Sequence, residues 1–339
     1  MKNGGTILKF SIIIPVYNAE RHLNTCISSI LSQDHQDYEV LLINDGSNDN
    51  SSSICDRVSK EKSFFITIHK ENSGAADCRN IGILHAKGDY ILFLDSDDTF
   101  ASNILQKINN TMEEKNSSDL YIGKFNYLIG EQITNKNNYE FDHSKLTKEN
   151  KCDILAYLFS EIPEQTWSVW RNVYKRKFLL NNNIFFNKDL VIGEDLDFFI
   201  RSILKAKDIS HINEPIVNYR LFESASVTAN LNIKKIKDII YLCKYWIEYF
   251  KKADCSEASQ ELIYDRLTFS FAAIFLHYNR IENDSKRELR ELIKQNEALL
   301  MYSNKKYIKL LYFIYKVFGV SITSKLVKLW SKIKKQLMR

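Results

Sequence analysis

Gly88-Asp89-Tyr90-Ile91-Leu92-Phe93-Leu94-Asp95-Ser96-Asp97-Asp98 sets an unbroken run of aromatic and β-favouring side chains before three carboxylates in four residues. The run 90–94 reads as a strand buried on both faces. Acids closing such a strand must lie at an edge where water or a cation meets them, because an unpaired buried carboxylate is too costly. Hard cations such as Mg2+ and Mn2+ prefer carboxylate oxygens, and Mg2+ usually takes one or two together with substrate phosphates. The competing reading is a helix cap, with Asp97 or Asp98 capping a helix that begins near Ser102. The surrounding sequence has to decide.

Upstream, Phe10-Ser11-Ile12-Ile13-Ile14-Pro15-Val16-Tyr17-Asn18 opens as a buried parallel strand, and Pro15, lacking an N–H, ends its ladder. From Ala19 to Gln33, Leu23, Ile27, Ile30 and Leu31 fall at helical spacing. A strand Tyr38–Ile43, a loop Asn44–Asp49 and a helix through Ile54 and Val58 follow. Next come a strand Phe64–His69, a turn Asn72-Ser73-Gly74, and a helix Ala75–His85 stopped by Lys87-Gly88. This alternation predicts an α/β domain with a parallel, doubly wound sheet, whose ligands sit beyond the carboxyl ends of the strands. Three loops at that edge carry polar residues: Pro15-Val16-Tyr17-Asn18, Asp45–Asp49 and Asp95–Asp98. Neither G-x-G-x-x-G nor G-x-x-x-x-G-K-[ST] occurs, so a dinucleotide fold and a P-loop are unsupported. A phosphate ligand would then need a cation and an arginine, and Arg79 stands nearby; alone, it reads more readily as a surface residue of its helix.

Together these segments resemble family 2 glycosyltransferases, inverting sugar-nucleotide enzymes of the GT-A-type fold. The likeness rests on Ser11–Asn18, Ile43–Asp49, Asn72-Ser73-Gly74 with Arg79-Asn80-Ile81-Gly82, and Asp95-Ser96-Asp97-Asp98, and extends more loosely to about residue 228. It implies that Pro15, Val16, Tyr17, Asn18 and Asp45 hold the uracil of a UDP-sugar, with Ser47 nearby. Arg79 would flank the uridine or diphosphate. Asp95 and Ser96 would face ribose and donor sugar, and Asp97 would ligate Mn2+ or Mg2+. Cys78 stands where the family usually has Ala, a small departure.

Beyond residue 103 the pattern predicts a helix Ile104–Met112, a strand Asp119–Leu128 and a polar surface loop over 130–150. Trp167 and Trp170 lie among cations; core packing accounts for one of them, and Trp170 is a candidate platform for an acceptor sugar. In Gly193-Glu194-Asp195-Leu196-Asp197-Phe198-Phe199, apolar spacing places Glu194 and Asp195 in the first turn of a helix. The helix dipole favours acids there, which suffices as a structural explanation and also keeps a carboxylate ionised as a general base requires. The resemblance gives Asp195 the base role and leaves Glu194 to orient. Tyr219-Arg220-Leu221-Phe222 resembles the family's closing segment, often Tyr-Arg-x-His; Phe222 replaces the histidine, which either leaves water and diphosphate to complete the metal sphere or weakens metal binding, and Arg220 is a candidate diphosphate contact.

After Asn230 the pattern is helical throughout, giving a catalytic region 1–230 (a nucleotide-sugar half 9–105 and an acceptor half 106–230) and a helical region 231–339. Residues 301–339 hold nine Lys, one Arg and no acid, so the formal net charge of +5 leaves 37 basic against 42 acidic residues in 1–300. The body is therefore not a nucleic-acid binder, and the basic element is the tail. Apolar and lysine faces alternate over 305–318 and 322–337, a pattern suited to peripheral contact with an anionic membrane from the cytoplasmic side, or to packing on the same chain or a second copy. No apolar run is expected to reach the length of a transmembrane helix, and Met1–Lys9 lacks a signal-peptide core. Six scattered cysteines without C-x-x-C argue against disulfides or zinc and for a reducing compartment. The expected activity is metal-assisted, inverting sugar transfer to a glycan or lipid-linked acceptor. A sugar-1-phosphate nucleotidylyltransferase, which would need a Gly-rich basic loop after the first strand, and a non-catalytic sugar-nucleotide-binding subunit are the alternatives.

Overall fold

A computed structural model describes residues 9–114, 117–134, 139–162, 166–221 and 231–337, with side chains up to residue 330. The expectations for Phe222, for Ser224–Thr228 and for side chains past Trp330 therefore lie outside the described residues.

Among the described residues nine strands form one mixed, mostly parallel sheet: β1 (Phe10–Val16), β2 (Tyr38–Asp45), β3 (Phe65–Lys70), β4 (Tyr90–Phe93), β5 (Thr99–Phe100), β6 (Leu120–Ile129), β7 (Gln132–Thr134), β8 (Asn172–Lys175) and β9 (Ile209–Arg220). The order is β3-β2-β1-β4-β8-β6-β9-β5, with β7 paired to β6. From β3 to β4 every pair is parallel, with Phe10 opposite both Tyr38 and Tyr90, so β1, β2 and β4 end at the same edge. The side chains of β2 and β4 are all buried, as the continuous apolar runs predict. Helix Ala75–His85 lies against β1 so closely that a Cβ on Gly82 would come within 2.3 Å of Ile13, and only glycine fits there.

Beyond β4 the sheet turns mixed, since β8 runs antiparallel to β4 and β6 while β6 and β9 are parallel. The helix-cap reading of Asp97 and Asp98 fails: they lead into β5, which pairs with β9, and the next helix begins only at Ile104. The first helix starts at Leu23 rather than Ala19, because the Ala19 carbonyl closes a turn by accepting from the backbone N–H groups of His22 and Leu23. The region read as a polar loop holds β7 and a short helix His143–Leu146, capped by Asp142 accepting from the Ser144 N–H.

The chain divides into two compact units. The first comprises Met1–Glu149, Ile162–Asp189 and Glu194–Phe222; the second takes Asn150–Glu161, Leu190–Gly193 and Glu223–Arg339. Helix Lys151–Ser160 thus belongs with the helical region. That second unit is built from helices, among them Ile233–Lys252, Glu257–His277, Lys286–Asn296 and Lys306–Leu337, around Trp246, Phe250, Phe271 and Phe275. Two sequence expectations are corrected here. Cys152 and Cys255 form a disulfide across 5.6 Å between Cα atoms, leaving Cys26, Cys55, Cys78 and Cys243 buried and free. The distance in sequence hid the pairing. Lys306–Trp330 also meets the length and composition of a membrane span, with mean hydropathy 1.4, although its interspersed lysines break the apolar run. Gly319 interrupts that helix at φ 70°, ψ 173°, a left-handed region that glycine enters without strain.

Candidate active site

The carboxyl ends of β1 and β2 continue into two loops that hold each other. Asn18, at φ 48°, donates its backbone N–H to Ser47 Oγ (3.1 Å), and its own Oδ1 accepts from the Asn48 N–H (2.8 Å). Tyr17 is half exposed beside them, and Glu20 accepts from the Asn50 N–H at 2.9 Å. Pro15–Asn18 and Ser47 are therefore brought together as the sequence predicted. Asp45 is differently engaged. It is buried at the end of β2, where its carboxylate accepts from Lys70 Nζ (2.6 Å) and from the backbone N–H groups of Ser73 (2.9 Å) and Gly74 (2.8 Å). Burial alone would raise its pKa, but these donors outweigh it and lower it. Asp45 thus pins the turn that leads into helix Ala75–His85.

That helix carries Arg79 into the centre of the site. Arg79 is 4% exposed. Its Nη2 donates to Asp95 Oδ1 at 2.9 Å, and its Nη1 donates to Asp195 Oδ1 at 3.0 Å while lying 3.5 Å from Glu194 Oε1. The guanidinium also lies over the Phe186 ring, 5.4 Å from its centroid. Burial would lower the Arg79 pKa, yet Asp195, Asp95 and Glu194 together raise it, so the cation is firmly charged. Both terminal nitrogens of Arg79 thus meet carboxylates.

Glu194 and Asp195 open the helix Glu194–Lys205, in its first turn as predicted. The dipole there favours ionised acids, but burial acts against it. Burial first, then Asp195, pushes the Glu194 carboxyl up to about 7. Asp195 is also raised by burial and by Asp95, while Arg79 pulls it back down.

The turn Asp95–Asp98 is closed by the Asp98 N–H donating to the Asp95 carbonyl (3.0 Å) and is fastened from β9. The Arg220 backbone N–H donates to Asp98 Oδ1 (2.7 Å), and its Nε donates to the Asp97 carbonyl (2.8 Å). Asp98 is buried, and its pKa is raised well above the usual range by that burial and by Asp97. Ser96 sits in the same turn. The Asp97 carboxyl is pushed up to about 6 by burial first and by Asp95 second. Among the described residues, no three His, Cys, Asp or Glu side chains are placed to cage a metal ion unaided. A carboxylate at the end of a strand, its pKa raised by burial and by Asp95, nevertheless suits Mn2+ or Mg2+ of the kind held by one protein oxygen ligand plus phosphates.

Trp170 is not an acceptor platform. It is 3% exposed, stacked on Tyr219 at 5.1 Å and edge-on to Phe125 at 5.0 Å, which makes it core. Sequence reasoning missed Phe186, which supports Arg79, and Asn80, whose side chain bonds both the Phe186 N–H (2.7 Å) and carbonyl (2.9 Å). Asn80 stood inside a quoted motif; Phe186 carried no local signal.

A family model described as Glycosyl transferase family 2 matches residues 11–186. An uncharacterized glycosyltransferase of Haemophilus influenzae is 34% identical over 263 residues, covering 71% of this chain and 96% of that protein. Uncharacterized glycosyltransferase EpsJ of Bacillus subtilis is 30% identical over 214 residues, 62% of this chain and 60% of EpsJ. Among solved structures, S. aureus TarS 1-349 in complex with UDP-GlcNAc superposes with a TM-score of 0.67 at 19% identity, covering 96% of this chain and 92% of that one, a likeness of fold.

Proposed function

The chain belongs to glycosyl transferase family 2 and is a glycosyltransferase, and from that premise we propose that it moves a sugar from a UDP-sugar to a hydroxyl of a glycan or lipid-linked acceptor with inversion at the anomeric carbon. The observation that carries this reading is the single guanidinium of Arg79 bound to both Asp95 and Asp195, which joins the acid turn after β4 to the helix Glu194–Lys205.

In this reading the linked loops Pro15–Asn18 and Ser47 take the uracil ring, and Asp45 acts by fixing the turn beneath it. Asp95 and Ser96 face ribose and donor sugar. Asp195 accepts the proton of the acceptor hydroxyl as that oxygen bonds to the anomeric carbon and the bond to the diphosphate breaks. Arg79 keeps Asp195 oriented, and Glu194 shares that cation at 3.5 Å. Asp97 would hold Mn2+ or Mg2+, whose chemistry is to offset charge on the departing diphosphate. Arg220 adds a fixed positive charge beside the same turn.

The donor reading is supported by the fold shared with a protein solved with UDP-GlcNAc, and the acceptor reading by the basic helical element. A membrane-borne acceptor places the enzyme peripherally at the cytoplasmic face. Release of UDP from a panel of UDP-sugars, with and without Mn2+ or Mg2+ and with membrane extract as acceptor, tests it. Failure to release UDP from every donor sinks it.

A further inference from the structure

The helix Lys306–Trp330 meets the length and hydropathy of a membrane span, yet its geometry within its own unit points elsewhere. One side is built into the protein. Ile308, Leu311, Val320 and Thr323 are buried, the Tyr315 ring meets Phe275 edge-on at 5.4 Å, and Asn279 Nδ2 donates to Ser324 Oγ at 2.8 Å. The other side is apolar and open. Leu310, Phe313 and Val317 form one stripe at helical spacing, and Leu326, Leu329 and Trp330 form a second, each residue 43–62% exposed.

Gly319, at φ 70° and ψ 173°, breaks the helix between the two stripes. At mid-bilayer such a break in the hydrogen-bond ladder is disfavoured, because hydrocarbon offers the freed backbone groups no partner. Lys309, Lys316, Lys325 and Lys328 are spread along the element rather than gathered at its ends, where a spanning helix tolerates them. No acid lies anywhere in 301–339, although Glu297 of the preceding segment pairs with Lys316 at 2.8 Å.

We infer that Lys306–Trp330 lies along an anionic lipid surface as two interfacial segments joined at Gly319, its outer stripes entering the headgroup boundary and its lysines meeting lipid phosphates, and does not cross the bilayer. A protein partner would have to match two apolar stripes set off by a break and supply acids along their whole length; an anionic lipid surface does both without a dedicated shape. The contact would serve the membrane-borne acceptor proposed above, but it is scored without substrate, so its failure leaves sugar transfer untouched.

The test uses the full chain with vesicles of phosphatidylcholine alone or mixed with phosphatidylglycerol. Sedimentation with the mixed vesicles only, release by high salt or alkaline carbonate, and a blue shift of tryptophan emission absent in Trp330→Phe are expected. Lys309→Gln with Lys325→Gln should weaken binding by about 25-fold, on the order of fivefold per lysine. Phe313→Ser with Leu326→Ser should abolish the residual binding at high lipid while the circular dichroism spectrum is retained. Equal binding to neutral vesicles, resistance to carbonate, or no vesicle binding would each overturn the proposal. So would a dimer that Phe313→Ser dissociates and that binds no lipid.

Discussion

Asp95 and Asp195 share one guanidinium: Arg79 donates to the first through Nη2 at 2.9 Å and to the second through Nη1 at 3.0 Å. The acid that ends the buried strand and the acid that starts a distant helix are thereby fixed at one separation. Because Arg79 is buried, this tie is not loosened by solvent as a surface ion pair would be.

Removing the base should spare donor binding. Asp195→Asn is expected to lower kcat by about 100- to 10,000-fold while the donor KM stays near its wild-type value. Steady-state UDP release checks this, and an equal rise in donor KM would assign Asp195 to binding instead.

Removing the cation should cost the fold. Arg79→Met leaves three carboxylates facing one another without their partner, and is expected to destabilise by about 3–5 kcal/mol in urea unfolding. Adding Asp195→Asn should recover part of that loss, because the two sites are coupled.

Stability should depend on pH with a definite sign. Glu194 is pushed from 4.5 up to about 7, so the folded chain holds this proton more tightly than the unfolded chain does. Such a group adds stability at acid pH that is lost as pH rises. The unfolding free energy should therefore fall between pH 4.5 and about 7, and Glu194→Gln should flatten that slope.

Asp97→Asn should uncouple UDP affinity from metal. Titration calorimetry with and without Mn2+ is expected to show UDP bound more tightly with the ion in the parent chain, and a loss of this gain by about tenfold or more in the variant. An undiminished Mn2+ effect would place the ion on other ligands.

Trp170→Ala should act as a core lesion, costing about 3–5 kcal/mol of stability. At a temperature where the variant stays folded, the acceptor KM should not change. A selective rise in that KM would restore the platform reading that its burial contradicts.

How much of this was legible in the sequence follows from the range of each interaction. The parallel half was readable because each strand is a continuous apolar run and each helix has its own period. Glu194 and Asp195 were readable for the same local reason. The occupancy of Arg79 was not: its three acids come from two distant segments, and the motif carrying it marks only one end of each bond. Trp170 misled because aromatics among cations look alike whether they face a ligand or, as here, Phe125 and Tyr219. The Cys152–Cys255 bridge was hidden by its separation of 103 residues.

The path of the chain has a practical consequence. It leaves the first unit after Glu149, returns at Ile162, leaves again for Leu190–Gly193 and departs finally after Phe222. No single cut separates the two parts. A fragment ending at residue 230 would retain helix Lys151–Ser160, and with it Cys152, but would lack Cys255. Chimeras exchanging catalytic portions between relatives would accordingly need junctions at both borders of that insertion, and grafts spliced only at the late boundary would strand it beside foreign helices.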